Sequence, residues 1–227
     1  MTFKTDSFMK SLREIATTFV ILLFFYAVPN LLFADAGNSV EGFGPVVVLA
    51  LGFVLLFTFQ PGVKATDFVA HAGDRYSMAG ILLAGVAGQW LIQWEWTMAG
   101  RPGTDPADMQ TGSGLCLMGL GLLIRAVAFR KLRPWFTTAV RPVADRRLIM
   151  DGPYRWVRHP AYSGAILYTI GTGLFLGGTW SAGLLTLLTL AAYVYRMNVE
   201  ERFLSVRFPA SYASYRRRTA KVIPFVW

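Results

Sequence analysis

The chain has 227 residues, 54% of them hydrophobic and only 15% charged, whereas a soluble domain carries roughly 25% charged residues. Its net charge of +9 is unevenly placed: residues 1–124 hold 6 Lys/Arg and 9 Asp/Glu, residues 125–227 hold 16 and 4. A single cysteine, Cys116, excludes an internal disulfide, and two histidines far apart in sequence, His71 and His159, argue against a structural zinc site, so no metal is expected.

The apolar residues are bunched. A helix crossing hydrocarbon needs about 20 mostly apolar residues, each adding roughly 1.5 Å of rise to a layer about 30 Å thick. Six such segments are predicted, at 12–33, 43–60, 77–98, 113–130, 161–176 and 180–197. The first has no charge between Ile15 and Asn30 and is too long for a cleavable signal, so it reads as a retained helix. The third ends in Trp90, Trp94 and Trp96, which suit an aromatic belt at the outer interface, with Gln93 and Glu95 reaching the same interface. The fourth carries Gly112, Gly114, Gly119 and Gly121, read as a packing surface because no strand precedes them to make a nucleotide loop. It also carries Arg125. An unpaired charge there costs at least about 2.5 kcal/mol, so Arg125 needs a polar partner or must snorkel to the inner face. The fifth and sixth segments are short and joined by Gly177-Gly178, which predicts a tight hairpin.

Breakers punctuate the connections: Gln60-Pro61-Gly62 and Gly100-Arg101-Pro102-Gly103 among them. The chain divides into N-terminal transmembrane helices over 1–112 and a basic, motif-bearing part over 113–227. Basic residues crowd the connector between segments four and five (Lys131, Arg133, Arg141, Arg146, Arg147, Arg155, Arg158) and the tail (Arg202 to Lys221). Positive-inside bias and attraction to anionic lipids explain this better than nucleic acid, and no nucleic-acid partner is expected. The same bias puts both termini in the cytoplasm of a multi-pass protein. The expected fold is all-α: a polytopic bundle of about six transmembrane helices with a cytoplasmic C-terminal cap.

Two stretches carry chemistry. Gly152-Pro153-Tyr154-Arg155-Trp156-Val157-Arg158-His159-Pro160-Ala161-Tyr162-Ser163-Gly164 crowds cations and aromatics at the approach to segment five. Pro160 suits the first turn, where its missing N–H costs nothing. Arg158 and His159 then stand at a helix N-terminus that favours anions, and Gly164 would let a ligand approach the backbone. The plainer alternative is an interfacial anchor. Glu200-Glu201, after segment six, are the only acids beyond Asp151. If the hairpin is antiparallel they return beside Arg158 and His159, making a place for an amino-acid zwitterion, carboxylate to arginine and ammonium to glutamate. The plainer alternative there is an ion-pair network.

Arg158-His159-Pro160-Ala161-Tyr162-Ser163-Gly164 resembles the R-H-P-x-Y-x-G signature of the isoprenylcysteine carboxyl methyltransferase and phospholipid methyltransferase superfamily. Glu200-Glu201, Leu204, Phe208, Tyr212, Tyr215 and Ile223-Pro224 resemble its E-E-x-x-L…F…Y-x-x-Y…I-P tail, with Pro209 where a glycine often stands. Leu148 to Tyr154 resembles its L-V-x-x-G-P-Y lead-in, so the likeness spans about residues 113–227. It implies S-adenosylmethionine as methyl donor, with Arg158, His159, Tyr162, Gly164, Glu200, Glu201 and Tyr212 on the cofactor side. It also implies Glu201, Arg196 and Arg125 as catalytic candidates, the arginines orienting an acceptor carboxylate. A lipophilic or lipidated acceptor such as an isoprenylcysteine carboxylate would enter from the bilayer; a phospholipid amine or small thiol stays open. Membrane sterol reductases share an R-H-P-x-Y block and bind NADPH, but usually carry Asn after the proline and Gly-Glu after the tyrosine, where this chain has Ala161 and Ser163-Gly164.

Overall fold

The computed structural model describes residues 28, 43–58, 76–100, 104–132, 148–178 and 180–224. Apart from Val28, segment 12–33 lies outside them, as do His71 and the basic stretch 133–147. The described helices are α1 (Phe43–Thr58), α2 (Ser77–Met98), α3 (Met109–Leu132), α4 (Pro160–Phe175), α5 (Trp180–Arg207) and α6 (Pro209–Arg218), with a 3₁₀ turn over Gly152–Arg155. Among the described residues there is no strand, only a parallel bridge between Val157 and Ala220.

α3 begins four residues earlier than the apolar run at 113 suggests. The reason is a cap: the Asp108 carboxylate accepts from the backbone N–H of Gln110 (3.1 Å) and Thr111 (3.0 Å), two donors that the first helical turn leaves unpaired. α5 runs beyond 197 to Arg207, and Glu200 and Glu201, just past the apolar run, find side-chain partners on other residues. α3 and α5 are long and apolar enough to cross a membrane, and only 33% and 22% of their apolar windows are buried inside the protein. Leu120, Leu123, Leu184 and Leu187 point outward. In water such a surface is unfavourable; in hydrocarbon it is the expected one. Over the described residues the protein is all-helical, with the outward apolar surface of a membrane protein.

Two helix pairs dominate. α3 packs on α4 through glycines seven residues apart on each: Gly114 and Gly121 face Gly171 and Gly164. A Cβ built on Gly171 would stand 2.6 Å from the Gly114 carbonyl oxygen, and one on Gly164 would stand 2.5 Å from that of Gly121. Backbone lies against backbone, so no side chain fits. Gly119 has open space around it and takes no part. Gly171 thus serves α3, while Gly173 meets Ala182 of α5.

α2 packs on α5, and here the interfacial reading needs correction. Trp96 (2% exposed) joins Leu49, Ile92, Met118, Tyr168, Phe175, Leu176 and Leu185 in the core, and Gln93 is buried too. The Glu95 carboxylate accepts from the backbone N–H of Ser181 (3.1 Å) and from its hydroxyl, so a side chain of α2 caps the start of α5. Of the three tryptophans, Trp94 is the exposed one, edge-on to Trp180 at 6.0 Å. Periodicity placed these residues at a helix end; it could not show that α5 covers them.

Candidate active site

Pro160 opens α4, and the chain reaches it through the 3₁₀ turn, which is fastened to the end of α3. Tyr154 is buried beside the Ala128 carbonyl, and Lys131 pairs with Asp151 at 2.5 Å. The C-terminal residues then strap this approach down. The backbone N–H of Arg158 donates to Ala220 (2.9 Å), that of His159 to Lys221 (3.1 Å), and that of Ala220 to Trp156 (3.1 Å). The Ser163 hydroxyl donates to the Val222 carbonyl at 2.7 Å, and the Tyr215 hydroxyl to that of Tyr154 at 2.7 Å. Arg158 and His159 are thus held by backbone bonds from both sides.

Glu200 and Glu201 arrive on α5. Consecutive helical residues are turned by about 100° from each other, so the two carboxylates serve different neighbours. Glu201 accepts from Arg158 Nε at 2.9 Å and meets His159 Nε2 at 3.2 Å. Glu200 accepts from the Tyr162 hydroxyl (2.6 Å) and from Arg196 Nε (2.8 Å), and lies 3.6 Å from His159 Nδ1. His159 therefore sits between both acids. Burial favours its neutral ring, but the hydrogen bonds and charges of Glu200 and Glu201 outweigh that and raise its pKa.

A raised folded-state pKa means that the protonated ring stabilises the fold; that contribution is complete below the unfolded value of about 6.5 and disappears as pH rises through the folded value. The thermal midpoint of the wild-type protein should therefore fall from neutral towards alkaline pH. His159→Gln should remove that dependence while lowering the midpoint at pH about 6.5, the unfolded value. A wild-type midpoint that is flat over this window would exclude a protonated His159.

Arg158 also donates to the carbonyls of Arg216 (3.3 Å) and Thr219. Beside it opens a cleft of about 990 Å³, lined by Arg155, Trp156, Arg158, Glu201, Tyr215 and residues 216–221 of the tail. Glu201 is in that lining and Glu200 is not. Glu200, whose side chain is 26% accessible against 10% for Glu201, faces away from the cleft, where Tyr162 stacks on Tyr193 at 4.9 Å and buried Arg196 donates to the Ser77 hydroxyl at 2.8 Å. Arg125 is buried in α3, donates to the Ala161 carbonyl at 3.2 Å and lies over the Phe129 ring. It takes the partner rather than the snorkelling course.

The structure thus brings together Arg158, His159, Tyr162, Arg196, Glu200 and Glu201. Gly164 stands apart from the cleft, pressed against Gly121 and Arg125, so its missing side chain serves helix packing. Tyr212 is 2% exposed with no hydrogen-bond partner for its hydroxyl, and it borders a smaller cleft with Arg216 and Arg217. Burial raises its pKa, so it remains a donor. Ser77, Tyr193 and the 219–222 strap are not marked by any sequence motif. Tyr193 had a usable signal, since 193, 196 and 200 recur at helical spacing on one face of α5. Ser77 had none.

Residues 114–206 match the pattern of the Isoprenylcysteine carboxyl methyltransferase (ICMT) family. Among similar proteins are the protein-S-isoprenylcysteine O-methyltransferases of Tribolium castaneum and Schizosaccharomyces pombe. The first is 27% identical over 77% of this chain and 60% of that protein; the second is 32% identical over 50% and 49%. The chain thus spans about half to three-fifths of the length of these relatives. The fold resembles that of the eukaryotic intramembrane Ras methyltransferase ICMT, with a TM-score of 0.59 at 20% identity over 100% of this chain and 88% of that one. The part of the chain that carries the site, residues 114–206, is thus similar to the isoprenylcysteine carboxyl methyltransferase family.

Proposed function

We propose that this protein is a membrane methyltransferase that uses S-adenosylmethionine to methylate the carboxylate of a lipophilic acceptor, such as an isoprenylcysteine. The supporting observation is the division of labour between the two glutamates. Glu201 and Arg158 border the open cleft formed with the tail, whereas Glu200, with Arg196 and Tyr162, faces away from that cleft. A water-soluble donor and a bilayer-soluble acceptor need such opposite approaches.

The cleft residues fit the donor. Glu201 is its one acid among the described residues, suited to an ammonium, and Arg158 and Arg216 offer charge to a carboxylate. The buried, unpartnered Tyr212 hydroxyl supplies a further donor nearby. When bound, the sulfonium supplies an activated methyl group; its transfer to a carboxylate oxygen leaves a methyl ester and a neutral thioether, and no proton has to move. The protein's part is alignment and exclusion of water. Arg196, steered by Glu200 and Ser77, is the residue we assign to orienting the acceptor carboxylate, with Arg125 behind it. α4 and α5 act as a hairpin that returns Glu200–Glu201 to the level of His159, α6 and the tail form the cytoplasmic cap, and both termini lie in the cytoplasm of a multi-pass protein.

Calorimetry on purified protein separates this reading from an NADPH-dependent reductase. S-adenosylhomocysteine should bind and NADPH should not. Glu201→Gln should weaken that binding by about ten- to a hundredfold, the worth of a hydrogen bond to a charged group. The variant with N-acetyl-S-farnesylcysteine as acceptor should lose methyl ester formation in step. Binding of NADPH alone would overturn the assignment.

A further inference from the structure

The cleft contains more positive charge than one zwitterion uses. Arg155, Arg217 and Arg218 line it, and among the described residues none of the three meets a carboxylate. Arg155 lies over the Trp156 ring at 5.2 Å, and Arg218 is bonded only within its own helix, to Ser214. Trp156 and Met150 on the same rim are about half exposed.

The height of this rim follows from its fastenings. A Cβ on Gly152 would stand 3.2 Å from the Lys131 side chain, and Tyr154 lies beside Ala128, so the 3₁₀ turn rests on the last turn of the membrane-spanning α3. The bond from Tyr215 to the Tyr154 carbonyl brings the end of α6 to the same level. Arg155, Trp156, Arg217 and Arg218 therefore stand where a span leaves the hydrocarbon. Tryptophan and arginine at that depth face lipid headgroups, and each cation near an anionic leaflet is attracted to it.

We propose that this rim binds the phosphate of an anionic phospholipid, held by Arg155, Arg217 and Arg218 with the Trp156 ring against the lipid's glycerol and upper chains. The proposal rests on membrane insertion and not on methyl transfer. A lipid headgroup is preferred over an acidic polypeptide because the rim pairs its cations with exposed apolar side chains at bilayer height.

Native mass spectrometry of detergent-purified protein, given equal phosphatidylglycerol and phosphatidylcholine, tests it. The wild type should retain phosphatidylglycerol on the order of tenfold over phosphatidylcholine, and raised salt should erase that preference. Arg155→Gln/Arg217→Gln/Arg218→Gln should bring the ratio close to one while its circular dichroism stays that of the wild type. Equal retention of both lipids by the wild type, or an undiminished preference in the triple variant, would refute the site. Should the triple variant not fold, Trp156→Ala and the salt series on the wild type decide by the same ratio. Displacement of the lipid by glycerol 3-phosphate at equal concentration would reassign the site to a free phosphate, and displacement by an acidic peptide would reassign it to a protein; either ends the lipid proposal. Lipid preference without S-adenosylhomocysteine binding would refute the methyltransferase reading and leave this one standing.

Discussion

A chain shortened to end at Arg218 is expected to lose S-adenosylhomocysteine binding altogether. The deletion removes the backbone partners of Arg158, His159 and Trp156, the acceptor of the Ser163 hydroxyl, and the Thr219 carbonyl that holds the Arg158 side chain. It also removes the bridge from Ala220 to Val157 and the buried Val222. At roughly 1 kcal/mol net per hydrogen bond, five lost bonds amount to about 5 kcal/mol. That is comparable to the whole stability of a marginal domain. The side chains that hold Glu201 would then be free to swing into solvent. Ala220→Pro is the finer probe, since it deletes only the N–H that Trp156 accepts. It should weaken binding while leaving the helices intact by circular dichroism. Full affinity in the shortened chain would show that the strap is dispensable and that Arg158 and His159 are placed by α4 alone.

The second large effect concerns the α3–α4 seam. Gly121→Val should prevent accumulation of folded protein, or lower its thermal midpoint far beyond any other single change in α3. A Cβ at Gly121 would strike the Gly164 carbonyl and approach Tyr168 N to 2.7 Å. The obstacles are backbone, so the helices themselves must separate. Overpacking a core costs about 1–3 kcal/mol when side chains can shift, and the atoms nearest Gly121 are all backbone. Separation would also carry Arg125 away from the Ala161 carbonyl. Gly119→Ala is the matched control: open space surrounds it, and alanine favours helix over glycine by roughly 1 kcal/mol. Its midpoint should hold or rise. Retention on size-exclusion chromatography after a heat step reads both, and equal midpoints for Gly121→Val and wild type would overturn the packing account.

These two cases also show what could be read without coordinates. Glycines at 114 and 121 announced a helix contact by being small residues in an apolar run, but nothing in their spacing distinguished them from Gly112 and Gly119. That choice depends on where the partner helix runs. Likewise Glu95 beside three tryptophans looked interfacial, because periodicity reports which face a residue takes and not what covers it; α5 covers it and borrows its carboxylate as a cap.

By itself the sequence determined the helical, membrane-embedded character of the chain, the start of α4 at Pro160, and the charged groups gathered at that start: Arg158, His159, Glu200 and Glu201. Those follow from local rules of hydropathy, charge and proline geometry that need no partner. Only the tertiary structure decided which acid faces which side. Glu200 and Glu201 are chemically identical neighbours, and they differ because a helix turns them towards different elements, one to Tyr162 and Arg196 and the other to Arg158 and the open cleft. It alone decided that Ser77 and the 219–222 strap belong to the site and that Gly164 belongs to a helix seam. Contacts between residues dozens of positions apart are set by packing, which hydropathy and motif spacing do not encode.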